Sequence, residues 1–403
     1  MKLLVISISA PPKNSPESVQ TGRYLYYLSK KHVVTLLTTE AIGGWEPEDK
    51  SLEKYLEGIS SHVLLRMLHP KVLALIKRTL PFVVVPDDSF VFPWLYGLAE
   101  QRVSKDQDII ISRSAPFSSA LMALRFSKNW NLPWIMHLSD PWADNPFQRL
   151  KKSQKKRNQL LEKTCIEHAK LVTLTSVKTV KHYKQKYPEH AHKFRLLPNV
   201  FDDVFINTTP LEFGGKIKFV LTGRLYGSRN IFQLMDAIEH AIGLKPTFEN
   251  QSEFIFAGFF DQKNIDRIKQ SKVKNVKYLG HLSMHEAIRL QQSSTVLLAI
   301  DALDEDAIFD LFFPSKLLDY FSAKRYILAI TSRNSTTHDL VDQKFGTCFH
   351  SENIDKLPDH LLFLTDQFFA KNRNLFEISE NFMTYSAQQN AANLEALLQE
   401  VVE

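Results

Sequence analysis

Short apolar runs alternate with amphipathic stretches along the whole chain, which predicts strands that alternate with helices. The first half contains six predicted strands, at 2–8, 32–39, 108–114, 133–140, 171–176 and 194–199. The second half contains six more, at 217–223, 253–259, 276–279, 296–301, 326–331 and 347–350. Predicted helices include 22–31, 118–128, 151–170, 177–187 and a closing helix near 379–402. Because this alternation is typical of parallel sheets covered by helices, we predict an α/β protein.

The pattern divides into two halves, each typical of a Rossmann-like, doubly wound parallel sheet. Asp, Asn, Thr, Pro and Gly cluster between residues 201 and 215, which indicates a linker. We therefore predict an N-terminal domain at 1–205, a second domain at 206–378, and a C-terminal helix at 379–403 that returns to the first domain. Ligands of such sheets bind beyond the carboxyl ends of the strands, so the two domains are expected to face a cleft.

The composition of the 403-residue chain narrows its class. Hydrophobic residues make up 44% and charged residues 23%, which excludes a disordered or fibrous chain. The two cysteines, Cys165 and Cys348, lie too far apart for a disulfide framework or a zinc site built on Cys pairs. The N-terminus is interpreted as a core strand, and no apolar stretch is long enough to span a membrane. These features favour a cytoplasmic protein.

The charge is distributed unevenly. Residues 1–202 contain 30 Lys and Arg against 18 Asp and Glu, a net +12, whereas residues 203–403 contain 20 against 26, a net −6. The basic half is expected to attract anionic partners. Lys71–Arg78 lies among apolar residues, and Arg149–Arg157 contains six cations. We predict that both contact an anionic membrane surface, the alternative being solvated surface, and no motif indicates nucleic acid.

The first candidate site follows the predicted strand 217–223. Arg224, Gly227, Ser228 and Arg229 lie between this strand and a helix. Two arginines in a glycine-containing loop before a helix N-terminus form an anion site, because guanidinium groups and free N–H groups bind phosphate oxygens. The alternative is a solvated turn with two surface arginines.

The second candidate site is the segment from Pro314 to Asp319. Pro314 suits the first turn of a helix, and Ser315 and Lys316 then lie at its N-terminus. Lys316 has the reach to bind a phosphate, and Asp319 has the chemistry to accept hydrogen bonds from a ribose diol. The alternative is a capped core helix with Asp319 on its solvent side.

Together these segments resemble the family 4-like retaining glycosyltransferases, which have the GT-B fold. Gly-Arg-Leu at 223–225, with Arg229 five positions after the first Arg, resembles the donor-phosphate signature of that family. The run Pro-Ser-Lys-Leu-Leu-Asp-Tyr at 314–320 resembles its Pro-Ser-Lys-x-x-Glu-Tyr segment. Further similarities in the expected order are Pro11-Pro12 with Gly22, Ser139-Asp140-Pro141-Trp142, and Pro198-Asn199-Val200-Phe201-Asp202.

The resemblance implies transfer of a sugar from a nucleotide-diphosphate sugar to a glycan or lipid-linked acceptor, in cell-surface polysaccharide biosynthesis. It implies no cofactor and no metal, and a peripheral position on the inner face of the cell membrane. The implied donor-binding residues are Gly22, Gly223, Arg224, Arg229, Pro314, Ser315, Lys316 and Asp319. The implied catalytic residues are His137, Asp140, Arg224, Arg229 and Lys316. A core histidine is the alternative for His137, and Glu162 and Glu167 are expected to be solvated.

One departure from the family pattern bears on activity. The Glu-x7-Glu pair of the family would place its first acid at Leu311, which cannot bond a sugar hydroxyl, and its second at Asp319. Asp310, Asp306 and Glu305 are nearby substitutes. The alternative function is therefore a catalytically degenerate GT-B protein that serves as a binding or scaffold subunit.

Overall fold

The computed structural model describes residues 1–40, 47–146, 148, 150–303, 309–342, 345–376, 378 and 380–403. These residues form two compact units. Unit 1 contains residues 1–200, 311–313 and 385–403, and unit 2 contains residues 201–310 and 314–384.

Unit 1 is built on a seven-stranded parallel sheet in the order β3-β2-β1-β4-β5-β6-β7. Its strands are β1 (Lys2–Ile6), β2 (Val33–Thr39), β3 (Ser61–Leu65), β4 (Ile109–Ser114), β5 (Trp134–Leu138), β6 (Leu171–Leu174) and β7 (Phe194–Leu196). Its helices are α1 (Pro16–Leu28), α2 (Pro70–Thr79), α3 (Tyr96–Arg102), α4 (Ser118–Trp130), α5 (Lys152–His168) and α6 (Val177–Lys186). The chain moves outward from β1 to β3 and returns at β4, so the switch point lies between β1 and β4.

Unit 2 is built on a six-stranded parallel sheet in the order β10-β9-β8-β11-β12-β13. Its strands are β8 (Ile217–Leu225), β9 (Ser252–Phe260), β10 (Val276–Tyr278), β11 (Val296–Ile300), β12 (Tyr326–Ile330) and β13 (Gly346–Phe349). Its helices are α7 (Phe232–Leu244), α8 (Phe248–Gln251), α9 (Gln262–Gln270), α10 (Met284–Gln292), α11 (Lys316–Ala323), α12 (Thr336–Val341), α13 (Leu357–Phe369) and α14 (Arg373–Phe376). The same winding rule places its switch point between β8 and β11.

Both sheets are covered on their two faces. Every residue of β5, β11 and β12 is buried, because helices pack on each side of these apolar strands. The doubly wound α/β fold predicted from the alternating pattern is therefore confirmed. Within the described residues, no helix combines the length and the apolar character that crossing a bilayer requires.

The predicted helix at 22–31 is α1, which begins six residues earlier, at Pro16. The structure also differs from the predicted elements elsewhere in the chain. It adds β3 at one edge of the first sheet, and it adds α2 and α3 between β3 and β4. The closing helix α15 (Ala387–Val402) begins later than predicted, because Ser386 caps it by accepting a hydrogen bond from the Gln389 N–H. A 3₁₀ turn at Glu380–Tyr385 precedes it, and residue 379 lies outside the described residues. Helix α15 packs against α1 within unit 1.

Candidate functional site

The carboxyl ends of β8 and β11 in unit 2 hold the main group of predicted site residues. These two strands are neighbours in the sheet, and the chain leaves them in opposite directions. Such a switch point leaves a crevice beyond the strand ends, where doubly wound sheets bind ligands. A ligand is therefore expected to contact the residues that follow β8 and those that precede α11.

Helix α11 is fixed over this switch point by Tyr320. The Tyr320 hydroxyl accepts a hydrogen bond from the Thr222 N–H of β8 at 3.0 Å and donates one to the Leu298 carbonyl of β11 at 3.0 Å. Tyr320 is fully buried, so both bonds are shielded from water. This anchor sets the position of Lys316, which lies one turn before Tyr320 on the same helix.

Lys316 lies between the ends of the two strands. Its Nζ donates a hydrogen bond to the Ile300 carbonyl, the last of β11, at 3.1 Å. A Cβ atom added at Gly223, whose φ is +118°, would stand 3.7 Å from the Lys316 Cδ, so the lysine stem lies beside Gly223 of β8. Within the described part of the chain, no carboxylate lies within ion-pair distance of the Lys316 ammonium group.

Electrostatics at Lys316 are unusual for a lysine. Burial lowers the pKa of Lys316 to about 8, an effect that the nearby Asp301 carboxylate opposes and the Arg229 guanidinium reinforces. A desolvated cation beside a second cation is stabilised by any anion that binds between them. Lys316 and Arg229 therefore form a pair of cations suited to a phosphate group.

The loop after β8 presents Arg229. The Arg229 N–H donates to the Tyr226 carbonyl at 3.2 Å, which closes a tight turn, and Gly227 supplies the positive φ of +65° that this turn needs. The Asp261 carboxylate accepts from the Gly227 N–H at 3.2 Å, and the Lys263 ammonium donates to the Gly227 carbonyl. Asp261 and Lys263, which lie between β9 and α9 and at the start of α9, thus fix the first turn after β8.

Arg224 occupies a different position from the one expected. The sequence places it in the loop, whereas the structure places it inside β8, which continues to Leu225. Its side chain is half-buried. The structure therefore brings Gly223, Arg229 and Lys316 together at the switch point and leaves Arg224 on the adjoining strand end.

The start of α11 contains the remaining donor-site candidates. The Leu317 N–H donates to the Pro314 carbonyl at 3.0 Å, which forms the first turn, and Ser315 is the N-cap residue without a side-chain capping bond. Asp319 lies one turn after Lys316 and is half-buried. The helix N-terminus adds partial positive charge to the site of Lys316.

Three nearby acids could replace the acid that is missing at Leu311, and Asp310 is the one that lies within the described residues. Asp310 is buried, and its carboxylate accepts a hydrogen bond from the Ser332 hydroxyl at 2.8 Å. The Leu311 carbonyl accepts one from the Thr179 hydroxyl at 2.9 Å within unit 1. Glu305 and Asp306 lie outside the described residues.

Sequence reasoning missed Asp301, which directly follows β11. One carboxylate oxygen of Asp301 accepts hydrogen bonds from the Thr331 and Thr337 hydroxyls, and its charge acts on Lys316. The signal was available, because an acidic residue at the end of a buried strand next to a switch point is a candidate site residue. Across the described residues, no group of three or more His, Cys, Asp or Glu side chains could hold a metal ion.

The other three predicted site residues, His137, Asp140 and Gly22, belong to unit 1. His137 on β5 is 1% exposed, and its Nδ1 lies 2.9 Å from the Thr173 hydroxyl. Burial, reinforced by the Arg113 guanidinium, holds the pKa of His137 well below its usual value. This buried position is typical of a core histidine, so His137 has no role in the mechanism proposed below.

Asp140 and Gly22 differ in environment. Asp140 follows β5 by two residues and is half-buried at the carboxyl edge of the sheet. A Cβ atom at Gly22 would lie 2.7 Å from the Pro11 Cγ and 3.0 Å from the Tyr55 Cβ. Gly22 therefore permits close packing of α1 against the loop after β1.

The expectation that Glu162 is solvated is wrong. Glu162 is 0% exposed, and its carboxylate accepts hydrogen bonds from the Ala143 N–H at 2.6 Å, the Lys186 ammonium at 2.6 Å and the Tyr187 hydroxyl at 2.6 Å. A fourth bond comes from the Tyr183 hydroxyl at 3.1 Å. The buried carboxylate thereby holds the segment after β5 against α6, and Glu167 on the same helix is exposed as expected.

Solved structures with the same architecture match almost the whole chain. The apo form of the lipopolysaccharide outer core galactosyltransferase WaaB is 15% identical, with 99% of each chain covered and a TM-score of 0.59. Anabaena Alr3699/HepE in complex with UDP-glucose is 14% identical, with 98% of this chain and 99% of that chain covered and a TM-score of 0.60. UDP-GlcNAc 2-epimerase from Methanocaldococcus jannaschii is 12% identical, with coverage of 99% and 100% and a TM-score of 0.58.

These likenesses define the fold. Two parallel-sheet α/β units, with seven and six strands, and neighbours that match at full length show that the chain has the GT-B fold. No protein-family model matches the chain, and a search of curated protein sequences finds no match.

Proposed function

We propose that this protein is a glycosyltransferase that moves a sugar from a nucleotide-diphosphate sugar to an acceptor hydroxyl. The observation that carries the proposal is Lys316, a desolvated cation at the β8–β11 switch point with no carboxylate partner among the described residues. HepE, one of the solved proteins with a similar fold, is in complex with UDP-glucose, which favours a uridine nucleotide.

In the proposed reaction, the bond between the sugar and the nucleotide diphosphate breaks as the acceptor oxygen bonds to the anomeric carbon. Negative charge then develops on the leaving diphosphate. Lys316 and Arg229 would stabilise this charge together with the N-terminus of α11, because fixed cations and dipoles act strongly where water is excluded. Arg224, at the end of β8, would be the third cation that contacts the diphosphate, and Gly223 leaves room for the phosphate group.

The finer features of the proposal follow the resemblance to the family 4-like enzymes. They are retention of the anomeric configuration, with the acceptor deprotonated by the leaving phosphate, and an acceptor that is a glycan or a lipid-linked sugar of cell-surface polysaccharide biosynthesis. Asp319 would bind the ribose diol, with Pro314 and Ser315 shaping the first turn beside the diphosphate. Asp140, at the carboxyl edge of unit 1, would contact the acceptor or the donor sugar.

The first test measures nucleotide affinity by calorimetry. Lys316→Ala should weaken the binding of UDP by about 10- to 150-fold, which corresponds to the loss of a charge-assisted bond of about 1.5–3 kcal/mol. Lys216→Ala is the matched control, because Lys216 is an exposed lysine that directly precedes the other end of β8. Equal UDP affinity of wild type and Lys316→Ala would overturn the phosphate assignment.

The second test separates transfer from the alternative functions. The purified protein is incubated with UDP-, GDP- and dTDP-sugars with and without oligosaccharide acceptors, and products are identified by mass spectrometry and NMR. A new glycoside supports the proposal. Leu311 motivates the scaffold alternative, which predicts nucleotide binding without turnover, and the epimerases among the neighbours make a changed sugar configuration the third outcome.

A further inference from the structure

Helix α2 in unit 1 presents apolar side chains to solvent. Helical periodicity places Lys71, Val72, Leu75 and Arg78 on one face, and all four are exposed, with Val72 at 44% and Leu75 at 59%. Leu73 is the buried residue of this helix. A surface helix of a globular protein normally turns polar residues outward, so the exposed face of α2 is suited to an apolar environment beyond the protein.

The apolar surface continues past the end of α2. Leu80 is 44% exposed, and Phe82, in the 3₁₀ turn Pro81–Val83, is 58% exposed. Four large apolar side chains, Val72, Leu75, Leu80 and Phe82, are thus exposed within eleven residues of sequence (72 to 82). Isolated exposed apolar residues are ordinary, but a group of this kind marks an interaction surface.

The N-terminal part of α5 lies beside this surface. The Gln154 side-chain N–H donates to the Pro81 carbonyl at 2.9 Å, and the Arg157 guanidinium donates to the Phe82 carbonyl at 3.2 Å. The fold therefore joins two segments that are more than 70 residues apart in sequence. This part of α5 and the residue before it contain five exposed cations, of which Arg157 contacts the apolar segment: Lys151, Lys152, Lys155, Lys156 and Arg157.

The combined surface is strongly cationic. Segments 70–84 and 150–158 contain eight Lys and Arg and no Asp or Glu. Lys77 makes an ion pair with Asp88 at 2.7 Å, so seven cations are left to face a partner. Arg149, which belongs to the predicted basic segment, lies outside the described residues.

We propose that this surface, named the α2–α5 surface, docks on an anionic lipid bilayer. Its cations match the phosphate groups of anionic lipids, and its aliphatic side chains match the boundary between headgroups and acyl chains. Single-stranded nucleic acid fits less well, because it is bound by several aromatic rings among basic residues and Phe82 is the one aromatic residue in these two segments.

The location of the surface extends the proposed function. Helix α2 follows β3, and α5 follows β5, so both segments leave the carboxyl edge of the unit 1 sheet. Asp140 leaves the same edge. Docking of the α2–α5 surface would hold this edge at the bilayer, where a lipid-linked acceptor resides. Vesicle binding requires neither donor nor turnover, so it can fail or succeed independently of the glycosyltransferase proposal.

The experiment is co-sedimentation of the full-length protein with vesicles. Wild type should sediment with phosphatidylcholine vesicles that contain about one-third phosphatidylserine, much less with pure phosphatidylcholine, and less as salt screens the charges. A charge variant changes Lys151, Lys152, Lys155, Lys156 and Arg157 to Gln. Its partition into anionic vesicles should fall by about tenfold or more. A second variant, Leu75→Ser with Phe82→Ser, tests the apolar part and should also reduce binding.

The matched control carries the same charge change on unit 2. It replaces five exposed lysines by Gln: Lys216, Lys269, Lys272, Lys274 and Lys356. The control should bind vesicles as wild type does. The proposal is overturned if wild type does not bind anionic vesicles, if the charge variant and the control bind equally, or if the surface binds an oligonucleotide or an acidic protein but not vesicles. Circular dichroism of each variant establishes that it is folded.

Discussion

Arg113 and Lys186 in unit 1 differ from Lys316 in unit 2 in what surrounds them. In unit 1, the Arg113 guanidinium donates to the Glu17 carboxylate at 3.1 Å, and the Lys186 ammonium lies 2.6 Å from Glu162 and 2.7 Å from Asp144. In unit 2, Lys316 donates to a neutral carbonyl and has no such carboxylate among the described residues. Arg113 and Lys186 are thus compensated by carboxylates within the fold, whereas Lys316 donates to a neutral main-chain carbonyl.

The pKa values follow the same contrast. Burial acts to lower the pKa of Lys186, but Glu162 and Asp144 outweigh it and the pKa is raised. Burial lowers the pKa of Lys316 to about 8, because the Asp301 charge is too weak a counterweight. A lysine whose charge is compensated within the fold is a structural residue, and one whose charge is not compensated is suited to an anionic substrate.

The contrast also shows how little net charge reveals about an anion site. The first half of the chain has a net charge of +12, yet the proposed phosphate site lies in the half with −6. The excess cations of the first half lie instead on the exterior, several of them on the α2–α5 surface. In the two proposals, one half-buried lysine would decide where a phosphate binds, and several exposed lysines would decide which surface approaches an anionic membrane.

The largest expected effect concerns the buried carboxylate of unit 1. Glu162→Gln should lower the free energy of unfolding by about 3–5 kcal/mol, because Lys186 loses one of its two carboxylates and the buried donors around Glu162 lose their charged acceptor. Glu167→Gln on the same helix is the control and should cost about 0–1 kcal/mol, since Glu167 is exposed and lies 3.7 Å from Lys163. Urea unfolding followed by circular dichroism measures both. Similar losses of stability in the two variants would contradict the structural role of the buried Glu162 carboxylate.

The next effect separates a packing glycine of unit 1 from a site glycine of unit 2. Gly22→Ala should cost about 1–3 kcal/mol of stability, because the new methyl group would overlap Pro11 and Tyr55. Its UDP affinity should be unchanged. Gly223→Ala should weaken UDP binding several-fold, since a φ of +118° is strained for alanine and the methyl group would contact the Lys316 stem.

Gly243→Ala provides the reference for both glycine variants. Gly243 lies within α7, and no atom is within 4 Å of its added Cβ, so alanine should stabilise the helix by about 0.5–1 kcal/mol. Thermal unfolding and UDP titration are measured on all three proteins. A loss of UDP affinity in Gly22→Ala at unchanged stability would instead support the donor-binding role that the family resemblance implies for Gly22.

The sequence predicted the fold better than it predicted the environment of individual charges. Twelve strands are readable because each is a short apolar run, and all twelve are present. The strand β3 is missed because it lies at an edge, where Ser61, His62 and Leu64 are exposed and the apolar alternation is weak. Helix α2 is hidden by an exposed face that is itself apolar.

Glu162 and Lys316 show why site chemistry is harder to read. Glu162 lies in a lysine-rich helix and is buried only because the segment after β5 and the tyrosines of α6 supply its donors. Lys316 is found by its place in a motif, but its lowered pKa depends on burial and on the Arg229 charge, which the fold brings to it. Local sequence sets the element and its cap, whereas desolvation depends on residues far away in sequence.

The last effect is a pH dependence that belongs to unit 2 alone. With a pKa of about 8, Lys316 is charged below that pH and loses its charge as the pH rises through 8. UDP affinity of wild type should therefore fall by about tenfold between pH 7 and pH 9, where the phosphates of UDP no longer change charge. Lys316→Arg keeps its charge throughout this range, so its affinity should vary little.

Calorimetric titration of UDP in buffers matched for ionic strength gives the two profiles, with Lys216→Arg as the exposed control. The control should follow wild type, since its change lies at the opposite end of β8. If Lys316→Arg and wild type lose affinity in parallel, the titrating group is another one and the lowered pKa of Lys316 has no part in binding. If wild type and the control lose affinity while Lys316→Arg does not, the uncompensated lysine of unit 2 is the group that recognises the diphosphate.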